Sequence, residues 1–301
     1  MKINQDYSFH NVYNVGSLPL YSAKEDLTLQ PQGRTPSHWN SDLEILFMDR
    51  GSMYVTVNGC KSLVRAKDIF IIDPGCLHFF QTADTEECVY YVGLLSESLF
   101  FATKNMTERF LNPVFHCFKP DFVHIPPSSS LYQPLYQTFV EIHCIITAKT
   151  AAYELLLAAK CYEILQYLCN LQHYKYLKTK NVDGRTAETL RLLMDYILRN
   201  YHQKISIEDL CKAASISRNT CFQLFQKFTE DTPAGFIMSY RLSQSQTLLA
   251  DTSLSISEIA DRCGFSHQSH FTQSFSRAFR ITPLQFRKLH LDKQTELKKG
   301  R

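Results

Sequence analysis

Ser255-Ile256-Ser257-Glu258-Ile259-Ala260-Asp261-Arg262-Cys263-Gly264-Phe265, followed by Ser269-His270-Phe271, Phe275, Phe279 and Thr282-Pro283, is the stretch whose reading decides the architecture. It is a second copy of something earlier in the chain. Ile256, Ile259 and Ala260 repeat Ile207, Leu210 and Cys211 at an offset of 49. After the turn the offset is 50, so that Phe271, Gln273, Phe275, Arg277, Thr282, Pro283 and Phe286 repeat Cys221, Gln223, Phe225, Lys227, Thr232, Pro233 and Phe236. One residue has been added in the turn of the second copy. Two short helix-turn-helix units, Ile207 to Phe236 and Ile256 to Phe286, point to sequence-specific DNA binding, because the second helix of such a unit fits a major groove.

Each unit divides into a buried and an outward face. In the first, Ser206 is the expected N-cap of a helix that turns Ile207, Leu210 and Cys211 inward. The following helix, about Arg218 to Phe228, is expected to bury Cys221, Leu224, Phe225 and Phe228 at steps of three and four. Arg218, Asn219, Phe222, Gln223 and Gln226 remain as the DNA-facing set. In the second unit Ser257 is the expected cap, Gly264 makes the turn, and Phe271, Phe275 and Phe279 face the core. Gln268, Ser269, Thr272, Gln273 and Ser276 then face outward, the first four being the candidate DNA contacts. Asn and Gln amides pair bidentately with adenine, and Ser and Thr hydroxyls reach bases or phosphates. Phe222 either meets a thymine methyl or is partly buried against the neighbouring helix. Between the units, Pro233 to Ala250 is one amphipathic pattern opened by Pro, a helical spacer of about 27 Å. Such a spacer suits two successive major-groove openings roughly 34 Å apart, with either both units reading bases or one resting on phosphates.

Charge is divided unevenly along the 301 residues. Residues 186–301 carry 16 Lys and Arg against 11 Asp and Glu, and residues 1–185 carry 16 against 18, a surplus of about five positive charges beside a deficit of two. The ten cysteines form no CxxC pair and lie in apolar segments, the usage of buried thiols in a reducing cytosol. MKINQDYSFH at the N-terminus lacks the apolar run of a signal peptide, and no stretch reaches about 18 uninterrupted apolar residues, so neither export nor a membrane span is expected.

The first half reads differently. From about Asn11 to His124 the apolar pattern is short and strand-like. Leu43, Ile45 and Phe47 alternate with residues expected to face outward, and Met53, Val55 and Val57 run into Asn58-Gly59, a hairpin signal because both turn positions need positive φ. Asp68 to Asp73 ends at Pro74-Gly75. Strands so punctuated make a small barrel or jelly roll. After Pro126-Pro127 the period becomes helical. Leu157, Cys161, Ile164, Leu168 and Leu171, spaced 4, 3, 4 and 3, form a seam that packs either on the barrel or, the reading favoured here, against a second subunit. The polar stretch from Lys175 to Arg185 reads as a linker.

From Thr186 to about His290 these residues resemble the DNA-binding domain of the AraC/XylS transcription regulators, over about a third of the chain. The family usually has Gly after each recognition helix, where Glu230 and Arg280 stand here, so these C-caps are expected to be made differently. Members often carry Arg where Gln223 and Gln273 stand, and its guanine contact is absent, which favours adenine-containing half-sites. The resemblance extends more weakly to the first half. Sugar-responsive members have a cupin-like sensor barrel followed by dimerising helices. His38-Trp39-Asn40, Glu44, Gly51, Pro74-Gly75 and His78 resemble the two cupin motifs.

In metal-binding cupins the ligands are usually three His and one Glu. Asn40 stands in place of one His, so no metal and no cofactor is expected. Arg34, His38, Trp39, Glu44 and His78 are instead expected to line a barrel mouth that holds a small polar effector, such as a sugar, or to be satisfied rim residues with no ligand. The resulting expectation is a multidomain α and β protein. It has a cupin-like effector-sensing barrel at 1–125, a helical dimerisation segment at 126–177, a linker at 178–185 and a double helix-turn-helix domain at 186–301. Its expected function is that of an effector-responsive transcription activator for carbohydrate or other small-metabolite genes. Its expected partners are double-stranded promoter DNA, RNA polymerase and a second copy of itself, in the cytoplasm on the nucleoid. It is not expected to be an enzyme; the alternative is a metal-dependent cupin enzyme with a DNA-binding tail.

Overall fold

A computed structural model describes residues 13–83, 87–115, 121–173 and 184–289. They form two compact units: residues 13–29 with 38–173, and residues 30–37 with 184–289. The first is rich in strands. β1 (Leu20–Asp26), β2 (Leu43–Val57), β3 (Cys60–Arg65), β4 (Ile69–Ile72), β5 (His78–Thr82), β6 (Cys88–Leu95) and β7 (Phe122–Ile125) pair entirely antiparallel. β2 is the organising strand. Its first half pairs with β6 and β4 in the order β1-β6-β2-β4-β7, and its second half pairs with β3 and β5. The register shifts between Met48 and Arg50, and such an irregularity bends a strand from one sheet into the next. The β2–β3 hairpin turns at Asn58 and Gly59, with φ of 46° and 77°, as the Asn-Gly pair requires.

Two apolar layers result. Leu46, Met48, Met53, Val55, Val64, Phe70, Phe80 and Val92 fill the space inside the folded sheet. Leu43, Ile45, Phe47, Ile69 and Ile71 project from the other face of β2 and β4 into a second core. The alternation in β2 is thus not between core and solvent. Residues 43–48 are buried on both faces, because helices cover the outside. Those helices are α1 (Tyr132–Ala148) and α2 (Tyr153–His173). Leu157, Cys161, Ile164 and Leu168 of α2 are all buried in the second core, with Leu171 partly buried against it. The seam expected to favour a second subunit is therefore buried within the chain's own unit, in a core shared with α1 and residues 111–115. A seam of this spacing specifies an apolar neighbour without saying which one.

The second unit is helical: α3 (Gly184–Asn200), α4 (Ile207–Ala214), α5 (Arg218–Thr229), α6 (Pro233–Asp251), α7 (Ile256–Arg262) and α8 (Gln268–Phe279). The helix α3 begins inside the expected linker, whose residues 178–183 lie outside the described residues. No helix among the described residues is long and apolar enough to cross a membrane. None of the nine cysteines among the described residues is in a disulfide, and burial pushes the thiols of Cys161 and Cys263 up to about 12, which keeps them protonated and inert.

Candidate DNA interface and sensor site

The two helix-turn-helix units are built by the same local devices. Ser206 caps α4: its Oγ accepts from the Asp209 N–H at 3.2 Å, and the Asp209 carboxylate accepts from the Ser206 N–H at 2.9 Å. In the second unit Ser255, not the expected Ser257, caps α7 by the same reciprocal pair with Glu258, at 3.2 and 2.7 Å. The Ser-x-x-acid spacing fits 255/258, whereas Ser257 lies inside the first turn. After each recognition helix a Thr-Pro pair opens the next segment, with Thr232 Oγ1 accepting from the Gly235 N–H and Thr282 Oγ1 from the Gln285 N–H. Phe225 and Phe236 pack edge to face at 5.5 Å, and their counterparts Phe275 and Phe286 at 5.6 Å.

Glu230 and Arg280, where the family usually has Gly, do not end their helices differently. Both take the left-handed conformation, with φ of 53° and 61°. The C-cap geometry is that of the glycine form, adopted by residues that carry a Cβ at a cost of about 1 kcal/mol each.

This scaffold leaves one face of each recognition helix open. On α5, Arg218, Asn219, Gln223 and Gln226 are exposed and Phe222 is half-buried. The Arg218 guanidinium lies 3.2 Å from Glu208 and over the Phe222 ring at 5.9 Å, an exposed pair that a phosphate can replace cheaply. On α8, Gln268, Ser269 and Gln273 are exposed and Thr272 is half-buried, while Phe271 and Phe275 are wholly buried. Leu224 and Phe279, expected in the core, are half-buried at its margin. Sequence reading missed Arg241 and Arg287. Arg241 donates to the carbonyls of Tyr201 and Gln203 at 2.8 and 2.6 Å, and Arg287 donates to that of Leu254 at 2.6 Å, each tying the chain ahead of a helix-turn-helix unit. No periodicity marks an arginine whose partners are main-chain carbonyls.

In the sheet unit, the residues of the expected effector site divide. Glu44, at the start of β2, and His78, at the start of β5, are 3% and 1% exposed, so they belong to the interior and not to an open mouth. His38 is half-buried and exchanges main-chain hydrogen bonds with His78, and their rings meet edge to face at 4.3 Å. Trp39, next to His38 in the chain, is half-buried. Arg34 stands apart: residues 30–37 group with the helical unit, where the Arg34 guanidinium donates to the Thr229 carbonyl. An excursion of eight residues away from the barrel leaves no periodic mark.

Asn40 is buried and donates to Glu44 Oε2 at 2.7 Å, so it orients the carboxylate. Burial raises the Glu44 pKa, but the neighbouring His78 and His38 rings and the Asn40 hydrogen bond outweigh it and hold the carboxyl below its ordinary value. Further polar groups share the lining of the folded sheet. Tyr21 lies 3.4 Å from the Glu25 carboxylate, and burial together with that charge pushes the phenol up to about 12. Tyr21, Ala23 and Glu25 have the same parity on β1, the one signal that would have placed them on this face.

A strand-rich unit joined to a helical unit with two helix-turn-helix motifs is the architecture of a transcription regulator. Residues 28–165 match the AraC-like ligand binding domain and residues 210–289 the Helix-turn-helix domain. The chain belongs to the AraC/XylS family of transcription regulators. It is 22% identical over 289 residues to the uncharacterized HTH-type transcriptional regulator YdeC of Bacillus subtilis, spanning 96% of this chain and 98% of that one. Over 245 residues it is 28% identical to the Msm operon regulatory protein of Streptococcus mutans, 81% and 83% of the two chains. Over 240 residues it is 22% identical to the raffinose operon transcriptional regulatory protein RafR of Pediococcus pentosaceus, 78% and 80% of the two. Among solved structures, ToxT from Vibrio cholerae O395 shares the fold at a TM-score of 0.50 and 13% identity, with 89% of this chain and 96% of that one covered.

Proposed function

We propose that this regulator reads two unlike, adenine-containing half-sites, using Arg218, Asn219, Phe222, Gln223 and Gln226 on α5 and Gln268, Ser269, Thr272 and Gln273 on α8. The observation that carries the reading is the exposure of both glutamines on helices whose opposite faces bury Cys221, Phe225 and Phe228 on α5 and Phe271 and Phe275 on α8. Amides in that position pair with adenine N6 and N7. Selection of bound sequences from a random duplex library, followed by the same selection with Gln223→Ala and Gln273→Ala, tests it. Each variant is expected to lose preference at one base pair in its own half-site, and unchanged selections would overturn the assignment.

The sensor unit is proposed to bind a small polar effector, a sugar or related metabolite, through the half-buried His38 and Trp39, backed by Glu44 and His78. The raffinose operon regulator among its relatives supports a carbohydrate. Arg34 is left out of this set. Effector binding shifts the protein between arrangements of different DNA affinity only if the effector binds one arrangement better. On this reading the protein is a cytoplasmic activator that engages RNA polymerase at the promoter as a homodimer and carries out no catalysis. With the α2 seam occupied, a dimer would use the other side of that helix, where Leu155 and Leu156 are 74% and 52% exposed. A thermal-shift screen of sugars on the full chain tests the effector, since a ligand bound by the folded state alone raises apparent stability. Sedimentation of the Leu155→Glu variant tests the dimer.

A further inference from the structure

We infer that His38, Glu44 and His78 form a binding site for a divalent first-row transition-metal ion inside the sensor unit. Each residue offers one ligand atom, and the three atoms lie within 4.8 Å of one another. The decisive geometry is at His78. Its Nδ1 lies 2.9 Å from the Cys76 carbonyl, which can only accept, so Nδ1 carries a proton and Nε2 is the nitrogen turned toward Glu44. Nε2 is fully buried and has no hydrogen-bond partner, although Glu44 Oε2 is 2.9 Å away. The distance is right for a hydrogen bond, but the direction of a ring N–H misses the oxygen. Two ligands of one ion behave this way: their lone pairs converge on the ion and not on each other. Ligand atoms held at about 2.1 Å around an ion stand roughly 3 to 3.5 Å apart, from right-angled to tetrahedral coordination.

The surroundings complete the arrangement. A ligating imidazole characteristically gives its other N–H to a carbonyl, and a ligating carboxylate is held by a donor of its own. Cys76 supplies the first and Asn40 the second. Asn40, which from sequence alone counts against a metal, here serves to orient Glu44. Two imidazoles and one carboxylate select a transition ion over magnesium or calcium, whose sites are built from oxygen. The ion also neutralises the buried Glu44 carboxylate beside a buried ring nitrogen that has no hydrogen bond. It clamps the isolated bridge between His38 and His78 to the start of β2, and His38 is the residue at which the chain re-enters the sensor unit after residues 30–37.

The test uses the full chain, stripped with a chelator, and needs no effector, so it is independent of the sugar reading. Titration with Zn2+ is expected to load one ion per chain and to raise the melting temperature. Co2+ is expected to give the visible bands of nitrogen and oxygen coordination without a thiolate charge-transfer band, which separates this site from the cysteines. Glu44→Gln keeps the side-chain volume and an acceptor for Asn40, and His38→Gln alters only a half-buried position. Each is expected to weaken Zn2+ binding at least tenfold. No stoichiometric uptake by the parent, a thiolate spectrum, or undiminished binding in both variants would overturn the site.

Discussion

The two helix-turn-helix units have nearly the same buried half and quite different exposed halves. Phe225 against Phe236 and Phe275 against Phe286, the paired Thr-Pro caps, the Ser-acid capping boxes and the left-handed ends at Glu230 and Arg280 recur almost unchanged. The turns do not. The first passes through Ser215 in the left-handed region, and Ser217 caps α5 by accepting from the Thr220 N–H. The second passes through Gly264, has one more residue, and reaches α8 at His267, whose side chain makes no cap. Packing constrains shape on every side, so the buried half tolerates little change. A face turned to solvent answers only to what binds it, and the two outer faces diverge in Asn219, Phe222 and Gln226 against Ser269, Thr272 and Ser276.

The largest test of this contrast removes the shared half. Phe225→Ala and Phe275→Ala are each expected to destabilise the protein by about 3–5 kcal/mol, and equal losses in chemical denaturation would show that the scaffolds are equivalent. Next is the turn. A Cβ on Gly264 would stand 2.4 Å from the Tyr201 carbonyl oxygen at φ +76°, so Gly264→Ala is expected to cost roughly 2–3 kcal/mol. Ser215→Gly, at the corresponding point of the first unit, is expected to cost nothing and to stabilise slightly, as thermal melts would read. The exposed halves come third: Gln223→Ala and Gln273→Ala should each lose on the order of 1–3 kcal/mol of binding to a cognate duplex without lowering the melting temperature. Equal effects of both changes at one base pair would mean that the two faces are not distinct readers.

Smaller effects test the ends of the helices. Ser206→Ala and Ser255→Ala should each cost about 1 kcal/mol, while Ser257→Ala should change little. Asp209 and Glu258 are held below their ordinary values chiefly by the hydrogen bonds from Ser206 and Ser255. Because their folded-state pKa values are depressed, this contribution is present above the unfolded values and fades as pH falls through the folded ones, so melts at acid pH should show the cap variants converging on the parent. Smallest of all, Glu230→Gly and Arg280→Gly should stabilise by up to about 1 kcal/mol, the left-handed strain outweighing the entropy of glycine.

The helical unit was more legible than the sheet unit because its information is local. Spacings of three and four name the buried face of α5 and α8, and what faces away from them is the candidate DNA surface. The misreadings there concern single residues: Ser257 for Ser255, and C-caps at Glu230 and Arg280 expected to differ from the glycine form. In the sheet unit the hairpin at Asn58-Gly59 was legible, but the two-sided burial of β2 was not, since alternation does not say what covers the outer face. Arg34 was grouped with His38, four positions further along, yet the chain carries it into the other unit. Asn40 read as a lost ligand and proves to be the donor that holds Glu44.

By itself the sequence determined that two copies of one helix-turn-helix unit follow a strand-rich domain, because helical periodicity, capping residues and a repeated apolar pattern are properties of neighbours along the chain. Only the tertiary structure decided that the α2 seam is buried within the chain's own unit, that residues 30–37 group with the helical unit, and that His38, Glu44 and His78 come together. Those outcomes depend on which distant surfaces bury one another and on where a hydrogen-bonded carbonyl such as that of Cys76 turns a ring, and neither is written in spacing.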